Sequence, residues 1–232
     1  MTLSEIYMPD LLTGAAGAAV FALLLMIFLP RLMSADVKPL SETPSYFYWL
    51  APLLAAITAS ALYLLDNSNQ LTIITWSIVA GVGAVATLTD FKDHRVPNIL
   101  SYNHFVLVIV ALTINAFLND NFFGLMWAGI SLFGAALLTF LAVTLLNVGV
   151  GDLKFIPVIA AALGFVNPWL AVAWIIASYI LNTLYALVAF MFHNVEKNGP
   201  RSTAKAAMIP PFYFSLWALV GLVSVGMVTA LS

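Results

Sequence analysis

Apolar stretches of roughly 20 residues follow one another along almost the whole chain, and about 20 residues is what a helix needs to cross a bilayer. Spans are expected over 11–33, 46–65, 71–91, 99–118, 122–147, 153–166, 168–192 and 206–231. Inside hydrocarbon every backbone N–H and C=O must be satisfied internally, so these segments have to be helices. With 63% apolar and 8% charged residues and a mean hydropathy of +1.04, the chain has too little polar surface to cover a soluble globule. No polar stretch is long enough for a separate soluble domain. The expected fold is an all-α polytopic transmembrane bundle of about eight spans, a single membrane-embedded unit over 1–232. Glu5 and Asp10 stand where a signal peptide would carry basic residues, so the first span reads as a retained helix.

The segment 153–192 can be one long element or two helices broken near Gly164-Phe-Val-Asn-Pro168. A single helix of that length would overshoot the bilayer, and Asn-Pro is a turn signal. Charge supports the break. With eight spans and the N-terminus outside, Arg31, Lys38, Lys92, Arg95, Lys154, Lys197, Arg201 and Lys205 all fall on one side. Glu5, Asp10, Asp66 and Asp120 are left on the other, which is the positive-inside pattern. Merging the two spans would put Lys197, Arg201 and Lys205 outside. The lipid bilayer is therefore the first partner. A nucleic-acid partner is not expected, because the net charge is −2 and the basic residues are dispersed over several loops. The absence of cysteine removes disulfides, thiolate catalysis and thiolate zinc sites together.

Within this frame two aspartates stand out: Asp90 in T-D-F-K-D-H-R-V-P-N and Asp152 in G-V-G-D-L-K. A carboxylate in or beside hydrocarbon costs several kcal/mol and marks a functional site by default. The charge-derived topology puts Asp90 at the cytoplasmic end of the third span and Asp152 at the cytoplasmic start of the sixth. Packing of those spans side by side would bring the two together as an acid–base pair. Gly149 and Gly151 permit a tight interhelical turn and close approach of another chain. Pro97 marks a helix boundary, Asp93 reads as a cap or a partner for Arg95, and Lys154 reads either as a topology marker or as a residue orienting Asp152 or an acidic substrate residue.

The ordered pair of motifs resembles the type IV prepilin peptidases, the GxGD aspartyl proteases. The resemblance rests on Asp90 followed by basic residues and Val96-Pro97-Asn98, then on Gly149-Val-Gly151-Asp152-Leu-Lys154 two helices later. It covers the motif-bearing core, about 71–166, while the first two and last two spans share only hydropathy. It implies that Asp90 and Asp152 form the catalytic dyad, supported by Gly149, Gly151, Lys154, Pro97 and Asn98. It also implies a prepilin-like membrane precursor as substrate, an inner-membrane location and a site facing the cytoplasm. Nearby carboxyls do not both ionise readily, so one can hold a proton while the other accepts one from water. The helix dipole favours the charge at Asp152, on a helix N-terminus, and the proton at Asp90, on a helix C-terminus.

A dyad mechanism requires no cofactor and no metal. His94, His104 and His193 lack metal-ligand spacing and read as satisfied polar groups. Larger members of the family carry a cytoplasmic segment, often with zinc-binding cysteine pairs, that is associated with N-methylation. Here the loop after the first span is only about a dozen residues and holds no cysteine, which matches the short, peptidase-only type of tight-adherence (Flp) pilus systems.

Three other readings compete with this one. Presenilin-like proteases pair Gly-x-Gly-Asp with Tyr-Asp and Pro-Ala-Leu, whereas here Thr89 precedes Asp90 and the last span offers Ile209-Pro210-Pro211. Val148-Gly-Val-Gly-Asp152 echoes a potassium-channel filter, but a filter needs a short pore helix and an outward mouth. A proton-coupled transporter using the same aspartates as a relay is the remaining alternative, although such acids usually lie near the midplane beside broken helices.

Overall fold

The structure, a computed structural model, describes residues 8–32, 46–66, 69–93, 96–146, 150–193, 213, 215–221 and 223; the side chains of residues 29–32, 47, 91–93, 145–146, 150–153, 185–186 and 188–193 lie outside that description. All regular structure among the described residues is helical: α1 (Met8–Leu32), α2 (Phe47–Tyr63), α3 (Gln70–Asp93), α4 (Asn98–Leu118), α5 (Phe122–Leu146), α6 (Val150–Val166) and α7 (Pro168–His193). Helical residues at 213, 215–221 and 223 mark an eighth segment. Met8–Phe28, Gln70–Asp90, Asn98–Leu118 and Phe122–Thr144 are long and apolar enough to cross a membrane. The molecule is a polytopic helical membrane bundle.

The expected break between the sixth and seventh spans falls at Asn167. Pro168 starts α7, and the Asn167 side chain accepts a hydrogen bond from the Trp169 N–H at 2.9 Å, a local cap for the new helix. Gly164 does not break α6. A Cβ there would collide with the Ser131 side chain and lie 3.1 Å from the Trp127 carbonyl, so this glycine lets α5 pack directly on α6. At its other end α6 begins earlier than expected, with Val150 and Gly151 already helical; residues 147–149 lie outside the described residues. At 17 residues α6 is about 25 Å long, shorter than the roughly 30 Å hydrocarbon layer.

Burial divides the helices into two layers. From Thr72 to Asp90 α3 is buried on nearly every side, and α6 is buried from Phe155 to Phe165. α1, α4, α5 and α7 bury one stripe and turn large apolar side chains outward, as Trp169, Val172, Ile176, Ile180, Leu184 and Leu187 do at helical spacing along α7. α3 packs on α1, α2 and α4; α6 packs on α4, α5 and α7. The inner helices themselves touch over only a short stretch, with α4 packed against both. Side-by-side contact of the third and sixth spans is thus present but limited, and α4 does much of the joining.

A helix surrounded by other helices cannot send polar groups to water, and α3 satisfies several of its own. Thr75 and Ser77 donate to the carbonyls of Leu71 and Ile73 at 2.9 Å, and Ser77 also reaches the Gly14 carbonyl on α1 at 3.0 Å. The segment at 213–223 closes the bundle on another side. One edge of the Tyr213 ring lies against Gly83, where a Cβ would be 2.5 Å from Cε2, and its hydroxyl is shared between the carbonyls of Leu54 and Ala80, each at 3.2 Å. Ser215 meets Ser178 of α7 at 2.6 Å, and the Trp217 indole donates to Thr58 of α2 at 2.8 Å. These bonds tie α2, α3 and α7 to one segment.

Where α3 begins and α4 ends, a chain of amides locks the two helices. Asn69 accepts from the Thr72 N–H at 2.9 Å, Asn115 donates to the Thr72 hydroxyl at 3.1 Å, and Asn119 donates to the Asn115 side chain at 2.9 Å. Hydrogen bonds of this kind between membrane helices contribute about 1 kcal/mol each.

Candidate active site

The opposite end of the α3–α4 pair carries the motifs. Asp90 sits in the last turn of α3 with only 7% of its surface exposed. Beside it, Thr89 donates to the Ala86 carbonyl at 3.0 Å. Thr87, one turn earlier and therefore on the Asp90 side of the helix, has a buried hydroxyl without a partner among the described residues.

The residues after α3 explain the Val-Pro-Asn tripeptide. The proline restricts Val96 to extended backbone, and Val96 packs against the core. Pro97 is buried at the N-cap position with ψ 134°, and its carbonyl accepts the first helical bonds from Leu100 and Ser101 at 3.0 and 3.2 Å. Pro97 thus ends one element and starts the next without a missing donor, since the first turn leaves backbone N–H groups unused in any case. Asn98 then becomes the first residue of α4, with its side chain exposed.

The second motif meets the first at that residue. The Lys154 ammonium donates to the Asn98 side-chain oxygen at 2.7 Å and lies 5.3 Å from the centre of the Tyr102 ring, a charge-assisted hydrogen bond with a cation–π contact. Sequence offered Lys154 as a topology marker or a partner for Asp152; its partners here are both on α4. Asn98 and Lys154 are 56 positions apart. Their contact puts the N-termini of α4 and α6 at one end of the bundle, the end where α3 terminates with Asp90.

Asp152 is the third residue of α6 and Gly151 precedes it within the helix; their side-chain surroundings, like those of Asp93, lie outside the described residues, as do Gly149 and His94. Pro157, inside α6, has no N–H to offer the carbonyl four residues earlier, that of Leu153. An acceptor next to Asp152 is thereby released from the helical ladder.

His104 departs from its expectation as a satisfied polar group. It is fully buried on the face of α4 shared with Leu100, Ser101 and Val108, and neither ring nitrogen has a hydrogen-bond partner among the described residues. Its ring lies against Phe155 of α6, centroids 4.6 Å apart and planes tilted by 35°. Leaving a buried polar group unmatched costs about 1–3 kcal/mol. Sequence reasoning also missed Tyr213, because a contact with a glycine 130 residues away leaves no local signal; the glycine itself, inside a helix, was the only hint.

Compared with known proteins, residues 77–191, close to half of the chain, match the model of the type IV leader peptidase family. The matched stretch runs from mid-α3 into α7 and contains both motifs. Fold and match together define a multi-pass membrane peptidase. Over that stretch the chain is similar to the type IV leader peptidase family. Neither the curated proteins nor the solved structures include a significant match.

Proposed function

We propose that this chain is an aspartyl endopeptidase that removes the leader of a type IV prepilin-like precursor, with Asp90 and Asp152 as its catalytic pair. The observation that carries the reading is the Lys154–Asn98 hydrogen bond, which joins the Gly-x-Gly-Asp segment to the segment that follows Asp90. The match to the type IV leader peptidase family supports the peptidase class and a pilin precursor as substrate.

One carboxyl of the pair is protonated and the other charged. The charged one takes a proton from water as that water attacks the scissile carbonyl, and the protonated one donates to the oxygen or, later, to the leaving amine. Gly149 and Gly151 let another backbone approach Asp152 closely. Lys154 and Asn98 hold the N-terminus of α6 against α4, and Pro97 sets the start of α4. The positive-inside distribution of Lys and Arg supports a site facing the cytoplasm of an inner membrane, where a basic leader preceding an apolar helix would be presented. The short loop between α1 and α2 and the lack of cysteine support peptidase activity without N-methylation.

Co-expression with epitope-tagged Flp-type precursors tests this reading. Loss of the leader, seen as a mobility shift with a new N-terminus ahead of the apolar helix, is expected. Intact precursor beside a folded, membrane-inserted enzyme, across several such precursors, contradicts it.

A further inference from the structure

The Asp90 and Asp152 mechanism leaves a buried imidazole unused at the same end of the bundle. His104 has no surface exposed, and neither nitrogen is matched among the described residues. The rest of its α4 stripe is mostly hydrocarbon, with Leu100, Val108 and Leu112 buried above and below it. Phenylalanine or leucine at this position would pack on Phe155 equally well and leave nothing unsatisfied. The nitrogens thus have hydrogen-bonding capacity that the described residues leave unused.

Its position says where that partner lies. His104 is six residues into α4 from Asn98, about 9 Å along the axis, and Asn98 holds Lys154. Phe155 follows Lys154 and is three residues beyond Asp152, so Phe155 and Asp152 share a side of α6. The imidazole therefore sits just beneath the motif-bearing end, between α4 and α6. The Thr87 hydroxyl, one turn before Asp90, is a second buried polar atom without a partner among the described residues. Unmatched polar atoms thus occur on both α3 and α4 next to the proposed pair.

A neutral imidazole offers one donor and one acceptor, as does a peptide group. A trapped water would want two to four polar partners, and the contact the ring makes is with a hydrocarbon ring. No three His, Asp or Glu side chains gather as a metal site among the described residues. Resting on the peptidase reading, we propose that His104 hydrogen-bonds the main chain of the bound precursor beside the scissile bond. The unmatched nitrogens are then a substrate contact left unmade in the free enzyme, reached when the precursor enters between α4 and α6.

The test compares His104→Phe, His104→Gln and His104→Asn with wild type in reconstituted membranes, following thermal stability and precursor cleavage. His104→Phe keeps the ring packing, so its Tm stays at or above wild type while kcat/KM falls by about 10- to 100-fold. Either amide variant, able to offer a donor and an acceptor, recovers most of that loss. If His104→Phe does not fold, His104→Leu takes its place in the comparison. A stable apolar variant that cleaves at the wild-type rate overturns the inference, as does an equal loss in all variants. Absence of cleavage by wild type overturns the peptidase reading and this inference together; wild-type cleavage indifferent to position 104 overturns this inference alone.

Discussion

The two ends of the α3–α4 pair treat buried polar groups in opposite ways. Where α3 starts and α4 ends, Asn69, Thr72, Asn115 and Asn119 form a closed chain of hydrogen bonds that clamps the helices. Where α3 ends and α4 starts, Asp90 is buried, and the Thr87 hydroxyl and both His104 nitrogens have no partner among the described residues. In membrane helices a satisfied network is a means of association, whereas an unsatisfied one lowers stability and persists where function needs it. The first end is a fastening; the second is built for something that arrives.

That contrast can be broken or sharpened by substitution, beginning with the largest effect. Asp90→Asn and Asp152→Asn should each lower cleavage by about 10³-fold or more, the order expected when an essential acid or base is lost. Neither should lower thermal stability, because a neutral amide is easier to bury than a carboxylate. A cleavage assay and a melting curve on the same preparations check both halves. At the fastened end the signs reverse. Asn115→Ala should destabilise the bundle by about 1–2 kcal/mol by removing its bonds to Thr72 and Asn119, which keep only Asn69 and the residue-115 carbonyl, yet the folded fraction should keep wild-type kcat. A large fall in kcat at unchanged stability would erase the distinction between the ends.

Smaller effects are expected further from the chemistry. Tyr213→Phe removes the hydroxyl shared by the Leu54 and Ala80 carbonyls and should cost about 1 kcal/mol, read as a lower melting temperature in detergent. Lys154→Met keeps the stem but loses the bond to Asn98. The pair is exposed, so stability should change by less than about 1 kcal/mol while kcat/KM drops several-fold because α6 is no longer held against α4. Equal activity in Lys154→Met would make this lysine a topology marker after all.

Much of this was legible in the sequence, for identifiable reasons. Hydropathy reports directly on transfer to lipid, so the expected spans and the helices mostly agree within a few residues, and Asn-Pro at 167–168 marked a true break. The aspartates stood out because charge is rare in such a chain. Less legible was which helices lie inside. α3 and α1 are both strongly apolar and both carry Gly and Ala; what separates them is the hydroxyl residues of α3, Thr72, Thr75, Ser77, Thr87 and Thr89, against Thr13 alone in α1, since interhelical contacts can satisfy hydroxyls and lipid cannot. The pairings of Lys154 with Asn98 and of Tyr213 with Gly83 were not legible, because they depend on how distant helices cross. For His104 a histidine on an apolar stripe was visible, but the lack of hydrogen-bond partners for its nitrogens among the described residues is a property of the packed bundle.

The central claim is that Asp90 and Asp152 meet. The natural absence of cysteine makes this directly measurable by pairwise cross-linking. The double substitution Asp90→Cys with Asp152→Cys is compared with Asn98→Cys with Lys154→Cys, a pair already in contact, and with Thr72→Cys with Asp152→Cys, which spans the bundle from end to end. A short thiol-specific linker should join the first two pairs with similar efficiency and leave the third unlinked. Linkage of the Asn98–Lys154 pair without linkage of the Asp90–Asp152 pair would mean that the motifs meet while the aspartates do not, and the dyad would have to be abandoned.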